Sequence, residues 1–201
     1  MASQGFTLWF TGPTGSGKST LAQAVHDQLV GRGLACEVLD SGRIREILNR
    51  ELGFTRPEIE QTLMRIGYEC KMLNRNGVVA IVAAVSPYRD VRRRLRTEIG
   101  RFVEVFCRCP LEVLLKRDKN GLLARAQRGE VQHVAGVNSP YEEPTDAEVL
   151  CNTAEETPEA DLEKIMCTLE ALGYLAEAPS AAYTAKEEEI IMQRFKDLGY
   201  I

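Results

Sequence analysis

The chain has 201 residues, 44% of them apolar, with a formal net charge of −4 and a sequence pI near 5.4. That length fits one domain of ordinary size with a sizeable core, and the acidic balance argues against broad electrostatic binding to nucleic acid or to an anionic membrane surface. No apolar run is long enough to cross a bilayer, and Met1-Ala2-Ser3-Gln4-Gly5 lacks a basic stretch followed by an apolar core, so a cytoplasmic location is expected.

Phe6-Thr7-Leu8-Trp9-Phe10 is β-branched and aromatic, stops at a glycine-rich turn, and is followed over residues 19–30 by helical apolar spacing. Residues 35–39 predict a second strand ending at Asp40. The uninterrupted apolar run over residues 78–85 suits a central parallel strand. Residues 102–107 predict a further strand, and residues 56–74 and 111–117 have helical character. Strands alternating with helices imply a parallel sheet covered on both faces, an α/β three-layer fold. Residues 119–144 are rich in glycine, charge and turn residues without sustained periodicity, and they are expected to form a mobile lid.

One α/β body is expected over residues 1–175, a small-residue linker over 176–185 and an amphipathic helix over 186–201. The segment Ile165 to Leu175 reappears at its apolar and glycine positions as Ile191 to Ile201, each copy ending at Gly-Tyr. A lone amphipathic helix cannot bury its own stripe, so the second copy is expected to dock on this domain, a second subunit or a partner. The six cysteines are scattered through apolar segments and are expected as buried thiols; with two histidines in the chain, Cys107 and Cys109 have no four-ligand zinc set to join.

Gly12-Pro13-Thr14-Gly15-Ser16-Gly17-Lys18-Ser19 fits the pattern G-x-x-x-x-G-K-[ST] between a strand and a helix. Glycines let backbone N–H groups converge on phosphate oxygens, and the following helix presents its positive end to the same anion. Lys18 is expected to reach the β and γ phosphates of ATP, and Ser19 to ligate Mg²⁺. Thr20 completes the expected ATP-binding set. Asp40, at the carboxyl end of the second strand, stands where open parallel sheets place their ligand crevice. Its carboxylate either holds Mg²⁺ or orients an acceptor hydroxyl, or it caps a helix beginning near Ile44.

Leu39-Asp40-Ser41-Gly42-Arg43-Ile44-Arg45, Leu52-Gly53-Phe54, Arg65-Ile66-Gly67, Ser86-Pro87-Tyr88-Arg89, Arg117-Asp118, Gly129-Glu130 and Tyr141-Glu142-Glu143-Pro144 resemble the ordered motifs of the adenylylsulfate kinase family, over about residues 5–175. The resemblance implies a P-loop kinase fold and transfer of the γ-phosphate of ATP to the 3′-hydroxyl of adenosine 5′-phosphosulfate (APS), in a homodimer. Lys18 and Asp40 are the expected catalytic residues and Ser19 and Asp40 the expected metal ligands; on the resemblance Arg45 and Phe54 bind the nucleotide substrate, and Ser86, Pro87 and Tyr88, at the carboxyl end of a strand, complete the expected substrate set. A guanidinium grips anionic oxygens and a phenyl face stacks on a purine, although Phe54 also suits simple core packing. Ser86 matches a serine that some members phosphorylate; a Ser-Pro turn after the strand accounts for it first.

The chain departs from the family where members usually read Asp-Gly-Asp: the second aspartate is Gly42 here. Other family substrate positions fall on Ile59, Thr62, Ala124 and Val134. Two other readings therefore stand beside APS phosphorylation: a kinase of the same fold acting on a different hydroxyl, and a non-catalytic ATP-binding module whose C-terminal helix engages a partner.

Overall fold

Strands buried on both faces of a parallel sheet have no solvent side to alternate with, and the three inner strands of this chain follow that pattern while the two edge strands are partly exposed. The computed structural model describes residues 5–48 and 50–175, apart from the side chains of residues 46–48. Asn49, the linker expected over 176–185 and the helix expected over 186–201 lie outside the described residues. In chain order the elements are β1 (Thr7–Thr11), α1 (Lys18–Gly31), β2 (Cys36–Asp40), α2 (Ser41–Leu48), α3 (Arg56–Arg75), β3 (Val79–Ala83), α4 (Arg89–Ile99), β4 (Phe102–Arg108), α5 (Leu111–Lys116), α6 (Leu122–Gln127), β5 (Val149–Asn152) and α7 (Pro158–Ala171).

The sheet order is β2-β3-β1-β4-β5 and every pairing is parallel. β1 is central, with Trp9 level with Val82 on one side and Glu104 on the other, so its carboxyl end opens into the middle of the crevice edge. Trp9, Ala80, Val82 and Phe102 turn to one face, where α3 and α4 cover them with Leu63, Ile66, Val91 and Leu95. α1 packs along β1 and β3 with Leu21, Val25 and Leu29 buried. The contacts divide the chain into residues 1–168 and residues 169–201. In the described part of the second unit the helix stops where the Tyr174 N–H bonds to the Leu169 carbonyl at 2.9 Å, around Gly173 with φ 70°.

Several expected boundaries shift for local reasons. α2 begins at Ser41 rather than near Ile44, because Asp40 Oδ1 accepts the N–H groups of Gly42 at 2.9 Å and Arg43 at 3.4 Å. β3 ends at Ala83, short of the apolar run's end, and Ser86 then takes φ 38°. α4 and β5 were not among the expected elements: α4 is arginine-rich with a narrow stripe of Val91 and Leu95, and β5 has only four residues. Residues 119–144 are not structureless, since α6 and Val134 build a small core with Cys109, Leu114, Leu123 and Ala126. Of the six thiols expected as buried, Cys167 is exposed and Cys36 partly so. Cys167 sits between Met166, which is buried, and Thr168, on the outer side of α7.

The most demanding feature of the core is a buried charge. Arg92 is 2% exposed, pairs with Glu104 at 2.7 Å, and donates to the carbonyls of Ser86 at 2.6 Å and Glu142 at 2.7 Å. Burial raises the pKa of Glu104, while Arg92 and Arg96 oppose that shift. Replacing Arg92 by leucine takes from Glu104 its closer partner and leaves Arg96 at 3.5 Å, so Arg92→Leu is expected to cost about 3–5 kcal/mol in urea unfolding. An Arg92→Leu/Glu104→Leu pair should recover part of the loss; a single variant within 1 kcal/mol of wild type would refute this role.

Candidate active site

The nucleotide loop is set by where glycines let the backbone go. β1 leads into Gly12, where an added Cβ would lie 2.4 Å from the Cys107 carbonyl oxygen, and the loop closes at Gly17, whose φ of 91° suits glycine. α1 then starts at Lys18, pointing its first N–H groups into the loop. Ser16 Oγ is buried with no hydrogen-bond partner among the described residues, an orphan that a phosphate oxygen would satisfy.

Lys18 is 8% exposed, and its Nζ donates to the carbonyls of Gly12 at 2.9 Å and Pro13 at 2.8 Å. Burial lowers its pKa to about 8, a shift that the neighbouring Cys107 and Asp40 partly oppose. Ser19 Oγ donates to Asp40 Oδ2 at 2.7 Å. Asp40 thus caps α2 with one oxygen and accepts from Ser19 with the other. A hydroxyl and a carboxylate side by side at the loop mouth are the oxygen donors a Mg²⁺ ion takes, with phosphate oxygens and water completing its shell. Thr20 is exposed in the first turn of α1.

Beside the loop lies a cavity of about 400 Å³ lined in part by Thr14, Arg45, Phe54, Ser86 and Pro87. The sequence therefore brings its expected nucleotide loop and most of its expected substrate residues to one place. Phe54 is 54% exposed, which rules out core packing, and the Arg45 guanidinium lies 4.2 Å above its ring. Arg45 is anchored by donating to the carbonyls of Leu52 at 2.8 Å and Gly53 at 2.7 Å. Ile59, Thr62 and Val134 line the same cavity, whereas Ala124 does not; its N–H is taken by Asp118 at 3.0 Å.

Tyr88 departs from expectation. It lies in the core with Trp9, Ile66 and Val91, outside the cavity lining, because the left-handed Ser86 turns the chain before it; Arg56 covers its ring at 4.6 Å. Ser86 lines the cavity, but its hydroxyl is buried, accepting from Trp9 Nε1 and donating to Thr11 Oγ1, each at 3.0 Å. Arg89 donates to the Glu143 carbonyl and its N–H to Glu142, while the hydroxyls of Tyr141 and Thr11 meet at 2.9 Å, so the end of the 119–144 segment is tied to β1 and α4.

Two residues beside the loop escaped the sequence reading. Thr153 Oγ1 donates to the Ser16 carbonyl at 3.0 Å, and Arg117 donates to the Thr153 carbonyl at 2.7 Å. Arg117-Asp118 was visible as a motif without a role; nothing around Thr153 marked it. Among the described residues no group of three His, Cys, Asp or Glu side chains is placed to hold a metal, and no helix is long and apolar enough to cross a membrane.

Residues 4–152 match the family described as adenylylsulphate kinase. An adenylyl-sulfate kinase of Synechococcus sp. (strain JA-3-3Ab) is 44% identical over 175 residues, covering 87% of this chain and 99% of the relative. A probable adenylyl-sulfate kinase of Pyrococcus abyssi is also 44% identical, covering 86% and 99%. Among solved structures, the Mycobacterium tuberculosis APS kinase CysC in complex with AMPPNP and APS superposes with a TM-score of 0.78 at 34% identity, covering 83% of this chain and 98% of that one.

Lys18 gives the loop a defined pH response. With a pKa of about 8 in the free protein against 10.5 as the ordinary value, Lys18 is partly deprotonated above pH 8, and a bound phosphate anion raises its pKa again. ATP binding at pH 9 should therefore take up a proton and weaken as pH rises past 8, seen calorimetrically in buffers of different ionisation enthalpy. In the unliganded protein the sign is opposite: the folded state binds fewer protons than the unfolded one between about pH 8 and 10.5, so the Lys18 contribution to stability grows with pH there. Binding without proton uptake at pH 9 would contradict this.

Proposed function

This chain belongs to the adenylylsulphate kinase family, and we propose that its loop and the adjoining cavity transfer the γ-phosphate of ATP to the 3′-hydroxyl of APS, giving 3′-phosphoadenosine 5′-phosphosulfate. The observation that carries the reading is the continuity of the two half-sites: Thr14 of the nucleotide loop and Arg45 and Phe54 of the acceptor side line one cavity, with the Ser19–Asp40 pair at the loop mouth.

The loop N–H groups and the start of α1 receive the phosphates, and Lys18 exchanges its Gly12 and Pro13 carbonyls for the charge that spreads over the moving phosphoryl group. Ser19 and Asp40 would hold Mg²⁺, which when bound offsets phosphate charge. Phe54 offers a face to the purine of the acceptor and Arg45 a cation to its anionic oxygens. The acceptor oxygen bonds to the γ-phosphorus as the bond to ADP breaks, and the hydroxyl proton passes to Asp40 or to water. Ser86 and Pro87 wall the cavity, and the reading gives Tyr88 no substrate contact. A homodimer belongs to this reading through the family resemblance, and light scattering tests it; a cytoplasmic setting belongs to it as the expectation drawn from the sequence.

A second acceptor is favoured by one observation, the neutral lining at Gly42, Ile59, Thr62 and Val134. Following ADP release with ATP, Mg²⁺ and APS beside a panel of hydroxyl acceptors separates the two. Turnover with APS supports the first reading; turnover only with another acceptor replaces it.

Lys18→Ala is expected to reduce phosphotransfer at least 100-fold in a protein that still folds, because it deletes charge from the reacting phosphate and not from the apolar core. Full activity in the folded variant would refute the assignment. Gly42→Asp is expected to raise APS turnover. Gly42 is helical and not left-handed, so an added side chain meets no backbone strain, and its Cβ comes within 3.0 Å of Asp40 Oδ1. That carboxylate must give way slightly, so ATP affinity and melting temperature should be followed together with rate. A stable, ATP-binding Gly42→Asp protein with no gain would show that the other altered lining positions limit the reaction.

A further inference from the structure

Of the described residues that line the acceptor cavity, drawn from the nucleotide loop, α2, α3, the turn after β3 and the 119–144 segment, Arg45 and His133 alone carry or can carry a charge. The acceptor assigned above brings two anionic groups, a phosphate and a sulfate, into a lining otherwise supplied by residues such as Ile59, Thr62, Leu63 and Val134. A single guanidinium, already committed to two carbonyls and to the face of Phe54, leaves most of that charge without a counterpart.

His133 is also one of two non-glycine residues with positive φ among those described, at 63°. Such a conformation is strained for a residue other than glycine and persists where neighbours over-determine it. Here they do. Asn138 Oδ1 accepts the Val134 N–H at 2.9 Å, and its Nδ2 donates to the carbonyls of Val131 at 2.6 Å and Ala126 at 3.1 Å. Val134 is buried in the small core of this segment. One amide side chain and one buried valine thus fix the turn on both sides of His133, and the turn takes its place in the cavity wall with His133 exposed on it.

We propose that His133 is the second anion-binding residue of the acceptor site: protonated, it binds the phosphosulfate together with Arg45, and Asn138 is the residue that positions it. This deepens the APS reading and rests on it. It makes acceptor affinity depend on pH in a way that a pair of guanidiniums would not, since imidazole is the side chain whose ordinary titration falls between pH 5 and 8. Arg45 stays charged throughout that range, and Lys18 serves the phosphates of the donor nucleotide.

The test titrates APS into the full chain loaded with saturating ADP and Mg²⁺, at pH 6 and pH 8, alongside turnover of APS with ATP. Wild type should bind APS roughly tenfold more tightly at pH 6, the scale of one charge-assisted hydrogen bond. In His133→Asn, which is neutral and tolerates positive φ, the pH 6 affinity should drop roughly tenfold and the pH ratio collapse towards one, with ADP affinity unchanged. His133→Gly, which relieves the backbone, should behave the same way if the side chain and not the turn matters. Wild-type affinity and pH ratio in either folded variant would overturn the role of His133 while leaving the APS reading intact. Turnover without any pH dependence of binding in the wild type would do the same. If wild type neither binds nor turns over APS, the reading itself falls and the inference falls with it.

Discussion

A guanidinium cannot stay charged inside a core without partners, and the partners of Arg92 decide where separated pieces of this chain must meet. Its pairing with Glu104 ties α4 to β4, and its bonds to the carbonyls of Ser86 and Glu142 draw the turn after β3 and the end of the 119–144 segment to the same point. Those two stretches frame the acceptor cavity: Ser86 and Pro87 line it, and Tyr141 meets Thr11 just before the nucleotide loop. Removing the charge would therefore disturb the crevice as well as the core. The left-handed backbone at Ser86 belongs to the same arrangement, since its carbonyl is one of the oxygens Arg92 holds.

At the loop mouth, economy comes from using both oxygens of one carboxylate. Asp40 starts α2 with one oxygen and receives the Ser19 hydroxyl with the other, so the element bearing Arg45 and the element bearing Lys18 and Ser19 are coupled through a single side chain. The cap uses one oxygen of the carboxylate and leaves the other with Ser19, so capping α2 does not occupy the whole group. Gly42 and Arg45 therefore lie on a helix whose first turn is fixed by the residue that meets Ser19 of the loop.

What could be read ahead of the structure was what is encoded locally. The Gly12 to Ser19 loop is contiguous, its glycines mark its backbone demands, and the fully buried strands announce a parallel sheet by their unbroken apolar runs. Arg45 and Phe54, to which the family resemblance pointed, line the cavity. The misreadings arose where remote partners decide. Tyr88 turned into the core because of a conformation two residues earlier, at the Ser86 turn, whose hydroxyl is held by Trp9 and Thr11, more than 70 residues away in sequence. α4 offered too many arginines to show an apolar stripe until Glu104 gave one of them a reason to be buried. The 119–144 segment hid its order because Asn138 organises it through backbone groups, which leave no mark on hydrophobic periodicity.

Trp9 is the only tryptophan in the chain; it is fully buried, stacks on Phe102 with ring centroids 5.7 Å apart, and donates its indole N–H to Ser86 Oγ, the hydroxyl of a residue in the cavity wall. Indole emission is sensitive to the polarity of whatever its N–H meets. Any ligand that shifts Ser86 or excludes water from that wall alters the surroundings of the protein's sole indole, so occupancy of the crevice can be followed by intrinsic fluorescence in unlabelled protein, with no second tryptophan to dilute the signal.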